Sequence, residues 1–170
     1  MIQSILVLLL DELYNWSIFC ASLGFGVSVS SLVNTESEIE AKNKTLFDWV
    51  KEGDTEQVRR CLASSSDPKA LLQASEPGFG GLTVLHVAAD RGHAGIVYLL
   101  VKEFNADVNA TDDDQQTPLH YASSVGHGEV VEILCSAGSK VDVRDGDGYT
   151  PEQVAFDHSV KDIFDKLKSN

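Results

Sequence analysis

Basic residues are missing from the start of this sequence: no Lys or Arg precedes Lys42, whereas Asp11, Glu12, Glu36, Glu38 and Glu40 all lie there. The 170 residues set 13 Lys and Arg against 26 Asp and Glu, a formal charge of −13. With those five acids set aside, residues 42–170 carry 21 acids and 13 bases, a formal charge of −8. Such a surface repels phosphate backbones and anionic lipid, so neither direct nucleic-acid binding nor membrane association is expected. Cysteine is scarce too. Cys20, Cys61 and Cys135 are odd in number and widely spaced, and no CxxC pair occurs. That excludes a disulfide scaffold and fits the reduced thiols of a cytoplasmic, or else nuclear, protein.

Long apolar runs are also lacking. Ile5–Leu10 is cut short by Asp11-Glu12, and Leu13–Val33 is uncharged but rich in Ser, Gly and Asn. Residues 1–33 therefore admit three readings. They are a signal peptide cut near Ala21 or Ser22, a weakly apolar membrane segment, or a soluble leader. The lack of a basic residue before the apolar run and the acids after it favour the last. Residues 34–45 are polar and acidic, a linker into the remainder. No G-x-S-x-G, P-loop or G-x-G-x-x-G occurs, so no catalytic residue or cofactor is expected.

What is present is a repeat. Thr83-Val84-Leu85-His86-Val87-Ala88 is followed by Gly92-His93; Thr117-Pro118-Leu119-His120-Tyr121-Ala122 by Gly126-His127. Thr150-Pro151-Glu152-Gln153-Val154-Ala155 is the third copy. The threonines stand 34 and then 33 residues apart, and Ile96, Val97, Leu99, Leu100 match Val130, Val131, Ile133, Leu134. The physics fits a helix pair in each copy. Thr117 is an N-cap, its hydroxyl able to accept a free backbone N–H, and Pro118 sits at the first helical position. Gly126 ends one helix in the left-handed conformation, and Gly138 ends the next. Asp145-Gly146-Asp147-Gly148 supplies a tight turn. A period near 33 with T-P-L-H-x-A resembles the ankyrin repeat, a hairpin turn followed by two antiparallel helices.

Leu46-Phe47-Asp48-Trp49 can be laid on the L-H-x-A positions as a divergent first repeat lacking Thr-Pro and His, with Gly53, Val58, Cys61 and Leu62 following in step. Leu46 to Leu85 is 39 residues, so Ser64–Gly81 holds about six residues over the usual period, and Gly78–Gly81 is read as an inserted loop before a hairpin position. The last copy is a cap whose second helix uses Val160, Ile163, Phe164 and Leu167. The expected fold over residues 46–170 is an all-α solenoid of about three repeats plus this cap.

Finer motifs resemble one family. Gly24-Phe25-Gly26, Val29-Ser30-Ser31-Leu32, Leu46-Phe47-Asp48-Trp49, the Leu85–His93 and Thr117–Ser123 segments, Arg144–Gly148 and Thr150-Pro151-Glu152 are similar to the linker and repeats of acyl-CoA-binding domain-containing ankyrin proteins. That resemblance implies the C-terminal, scaffolding half of such a protein behind an unrelated leader. In the family a separate four-helix domain binds long-chain acyl-CoA through Tyr, Lys and Trp residues. Nothing in residues 1–41 matches it, so acyl-CoA is expected as a ligand only where that missing domain is present, and a lipid-binding role is the alternative reading.

The expected function is to hold a protein partner. Hairpin tips and exposed first-helix positions offer Tyr121, Phe79, Asp90, Arg91, Asp113, Asp114, Gln116 and Tyr149, with Tyr121 the best single anchor unless it only packs between repeats. Thr83, His86, Gly92, Thr117, Pro118, His120, Gly126, Gly148, Thr150 and Pro151 are read as structural. His86, His93, His120 and His127 all fall on scaffold positions with no Cys or carboxylate spacing beside them, so no metal is expected. Asp145 and Asp147 fail as a calcium loop, because Val143 and Val154 stand where acids are needed. Cys135 is read as an inert core thiol.

Overall fold

The computed structural model describes residues 44–75, 78 and 80–168. The leader, nearly all of the linker, Cys20 and Phe79 lie outside the described residues. Lys44–Asn170 forms a compact unit of its own. Its described helices are α1 (Leu46–Glu52), α2 (Thr55–Ser64), α3 (Pro68–Gln73), α4 (Val84–Asp90), α5 (Ala94–Lys102), α6 (Pro118–Val125), α7 (Gly128–Ser136) and α8 (His158–Lys168). The pairs α1/α2, α4/α5 and α6/α7 stack as three repeats, and α8 closes the stack. The fold is an all-α solenoid of the ankyrin type.

Each pair forms for local reasons and is kept by shared burial. Thr45, Thr83 and Thr117 occupy the N-caps of the first helices. Gly53, Gly92 and Gly126 follow those helices at φ of 80°, 71° and 92°. Ile96, Val97, Leu99 and Leu100 of α5 are all buried, as are Val130, Val131 and Leu134 of α7, with Ile133 packed at the margin. Each such side chain, fully buried, contributes about 1.5–3 kcal/mol. Small Ala88, Ala89 and Ala122 are fully buried and let successive first helices come close.

Four details differ from the sequence reading. The first repeat is capped by Thr45, whose N–H and hydroxyl donate to Asp48 Oδ2 at 2.7 and 2.8 Å. Asp48 thus stands at the third helical position, where later repeats carry His, and its carboxyl is held below the usual range chiefly by the Thr45 N–H. The cap-to-glycine span is one residue shorter here, so Trp49 and Gly53 keep register with Ala88 and Gly92 while the N-cap moves in. The insertion is not only loop: Asp67 caps and Pro68 starts the short α3, and Ser75 bridges Thr83. In the last repeat Pro151–Val154 makes only turns, not a first helix, since Glu152 and Gln153 replace the apolar Leu and the bridging His. Finally, Leu167 is 44% exposed, while Val160 and Phe164 form the buried face of α8. Leu167 is seven residues past Val160 and three past Phe164, in the final turn of α8.

Candidate functional site

The histidines lace the stack. Thr117 N–H lies 3.1 Å from His120 Nδ1, and an N–H can only donate, so Nδ1 is the unprotonated nitrogen. The Thr117 hydroxyl then donates to the same nitrogen at 2.9 Å. The proton must sit on Nε2, which donates to the Tyr149 carbonyl of the following hairpin at 3.1 Å. His86 repeats this with Thr83 (3.2 and 2.9 Å) and the Gln116 carbonyl (3.1 Å). The threonine hydroxyl lies over the helix N–H without a full hydrogen bond to it. It faces the N–H of the third helical residue in a capping box, as the N-cap expectation has it, and at the same time fixes the imidazole. Both rings are buried, and burial pushes their pKa down, which keeps them neutral.

A second pair of histidines reaches the other way. His127 Nε2 meets the Asp90 carbonyl of the preceding repeat at 2.9 Å, and His93 Nε2 meets the Lys51 carbonyl at 3.4 Å. A Cβ at Gly92 would come within 2.6 Å of the His127 ring. Gly92 therefore serves both its left-handed φ and this close approach. Among the described residues no His, Cys, Asp or Glu group is arranged to hold a metal.

The hairpin tips are organised by two buried aspartates: Asp145, read from the sequence as a turn residue, and its counterpart Asp112. Asp112 Oδ1 accepts from the N–H of Asp114 and Gln116 at 3.0 and 2.8 Å; Asp145 Oδ1 accepts from Asp147 and Tyr149 at 3.1 and 2.8 Å. Neighbouring tips are joined by Asp113 N–H to the Gly80 carbonyl (2.9 Å) and Gly146 N–H to the Asp114 carbonyl (2.7 Å). Gly148, at φ 87°, closes its turn onto the Asp145 carbonyl. The 33-residue recurrence of Asp was the available signal.

The tips so held present Asp113, Asp114 and Tyr149 to solvent, Tyr149 at 54% exposure. Gln116 is half-buried and its carbonyl is taken by His86. Arg91 is exposed and Asp90 half-buried at the end of α4. Tyr121 is engaged within the stack: its hydroxyl donates to Asp112 Oδ2 at 2.8 Å and its ring meets His86 edge-on, centroids 5.6 Å apart. Burial and the Asp112 carboxylate push its phenol pKa well up. Phe156, 75% exposed, was not singled out from the sequence. It sits where Ala89 and Ser123 are buried in earlier copies, with its ring against Gly126, and only the unformed last helix leaves it bare. Burial raises the Cys135 thiol to about 11, which makes it unreactive at neutral pH.

No described helix is long and apolar enough to cross a membrane. The model for ankyrin repeats in three copies matches residues 46–145. Protein phosphatase 1 regulatory subunit 27 of Mus musculus is 34% identical over 134 residues, 78% of this chain and 82% of its own length. Its Homo sapiens counterpart is 32% identical over the same shares of both chains. Rabankyrin-5 of Homo sapiens is 39% identical over 89 residues, 52% of this chain but 8% of its own. With its repeats matched across joints laced by His86, His93, His120 and His127, the chain belongs to the ankyrin-repeat family.

Proposed function

We propose that this chain is a non-catalytic module that holds a protein partner along its hairpin tips and the exposed ends of its first helices. The observation that carries the reading is the pair of buried aspartates, Asp112 and Asp145, which fix the tips while Asp113, Asp114 and Tyr149 stay exposed. A pre-ordered surface binds with little entropy loss. Asp90, Arg91 and Gln116 extend it, Phe79 belongs to the same tip by sequence, and Tyr121 forms a rigid rim rather than a free anchor. The acidic tips suit a basic segment on the partner. The regulatory-subunit relatives make a phosphoprotein phosphatase catalytic subunit the first partner to try. Among the described residues Cys61 and Cys135 are free thiols, which supports a cytoplasmic or nuclear setting. The test is pull-down with the wild-type chain against an Asp113→Ala/Tyr149→Ala double variant of unchanged melting temperature. Loss of a wild-type partner supports the surface; retention of every partner overturns it.

A finer reading, that the chain is the scaffolding half of an acyl-CoA-binding ankyrin protein, is supported by the Leu85–His93, Thr117–Ser123 and Arg144–Glu152 segments. Recognition of CoA needs cations for its phosphates and an apolar slot. Lys51 on α1, Arg59 and Arg60 on α2 and Arg91 at the end of α4 are spread over three elements rather than gathered at one cavity. The chain alone is therefore expected not to bind palmitoyl-CoA. Isothermal titration below the micelle concentration checks this, and a saturable one-to-one isotherm would restore lipid binding to the chain.

A further inference from the structure

The three joints of the stack are not built alike. The second and third repeats are tied by His86 to the Gln116 carbonyl, His127 to the Asp90 carbonyl and Asp113 to the Gly80 carbonyl, at 3.1, 2.9 and 2.9 Å. The third repeat and the cap are tied by His120 to Tyr149 (3.1 Å), Gly146 to Asp114 (2.7 Å), Phe156 N–H to the Ser123 carbonyl (2.9 Å) and Lys140 N–H to Asn109 Oδ1 (2.8 Å). The first and second repeats differ. Asp48 replaces the forward-reaching histidine, and a carboxylate spent on the Thr45 cap has no donor to send across. The backward bond from His93 to Lys51 is 3.4 Å long, at the edge of hydrogen bonding. Across this joint lie also the ion pair of Arg59 on α2 with Glu103 at the end of α5, both side chains some 40% exposed, and the short α3, which packs on α2 and α4. Exposed pairs of this kind are weak and screened by salt.

We infer that the first repeat, Thr45–Ser64, opens as a unit at this joint before the rest of the stack unfolds, and that ionic strength sets how often it does so. Ankyrin stacks divide into repeat and neighbour terms, so the joint with the poorest ties parts first. The opening bares apolar surface that α1 and α2 share with α4 and α5, which makes the first repeat a salt-sensitive flap on an otherwise laced solenoid.

Hydrogen exchange on the full chain, read by mass spectrometry, tests this. Amides in residues 46–64 are expected to be at least about tenfold less protected than those in 118–136, as sub-global opening requires. Raising NaCl from 50 to 500 mM, or making Arg59→Gln, is expected to speed exchange in 46–64 by about two- to fivefold, the range an exposed pair supports, with 118–136 unchanged. Equal protection in the two segments overturns the proposal. So does an Arg59→Gln effect that is absent, or that spreads equally over both segments.

Discussion

At Thr117 one small side chain serves two elements. Its N–H and hydroxyl both feed His120 Nδ1, and that fixes the proton on the nitrogen that crosses to Tyr149. Thr117→Ala keeps the N–H link but frees the ring to turn. It is expected to destabilise the fold by about 1 kcal/mol, the usual cost of a lost cap. An unchanged urea midpoint would show that the hydroxyl does nothing. Ser123 is the opposite case. It is fully buried and its hydroxyl has no partner among the described residues, while Ala89 fills the same place one repeat earlier. Ser123→Ala is expected to leave stability unchanged or raise it by up to about 1 kcal/mol, because an unsatisfied buried hydroxyl costs more than it returns. A clear drop in the urea midpoint would reveal a hidden partner.

At the scale of the joints, stability follows the protonation of His86 and His120. Both have folded pKa values below the ordinary 6.5, because burial disfavours the imidazolium. The unfolded chain therefore binds these protons more readily. Stability from the two rings is complete above about pH 6.5 and is lost as pH falls from there through the folded values. A lower urea midpoint at pH 5.5 than at pH 7.5 is the expected outcome. His120→Gln sharpens the test, since Gln153 already fills the equivalent role by accepting the Thr150 N–H at 2.9 Å. The variant should keep the cap and lose the bridge to Tyr149, costing about 1 kcal/mol at pH 7.5. Its pH dependence should be shallower. An undiminished slope would place the acid sensitivity elsewhere.

For the whole molecule, the Lys44–Asn170 unit contains its own core and is closed by Val160 and Phe164 of α8. A fragment of residues 42–170 is expected to give a helical circular dichroism spectrum and a cooperative melt. A random-coil spectrum would mean that residues 1–41 are required for folding. The fragment should also hold whatever partner the tips of the full chain hold, because the tips are braced from within by Asp112 and Asp145.

The sequence alone determined the repeat. Threonines 34 and 33 residues apart, with glycines and apolar pairs in step, fix helix starts, stops and buried faces, because these depend on backbone geometry within one copy. The Thr45-x-x-Asp48 box and Asp67-Pro68 are equally local signals, but the sequence reading does not use them and leaves Thr45 in the linker. The state of Tyr121, Phe156 and Leu167 was not legible in the sequence. Tyr121 and Phe156 look alike as aromatics near helix ends, yet one is tied to Asp112 and His86 and the other is bare. That difference turns on whether a further helix stacks alongside, and neighbours contributed by another repeat exist only once the solenoid has formed.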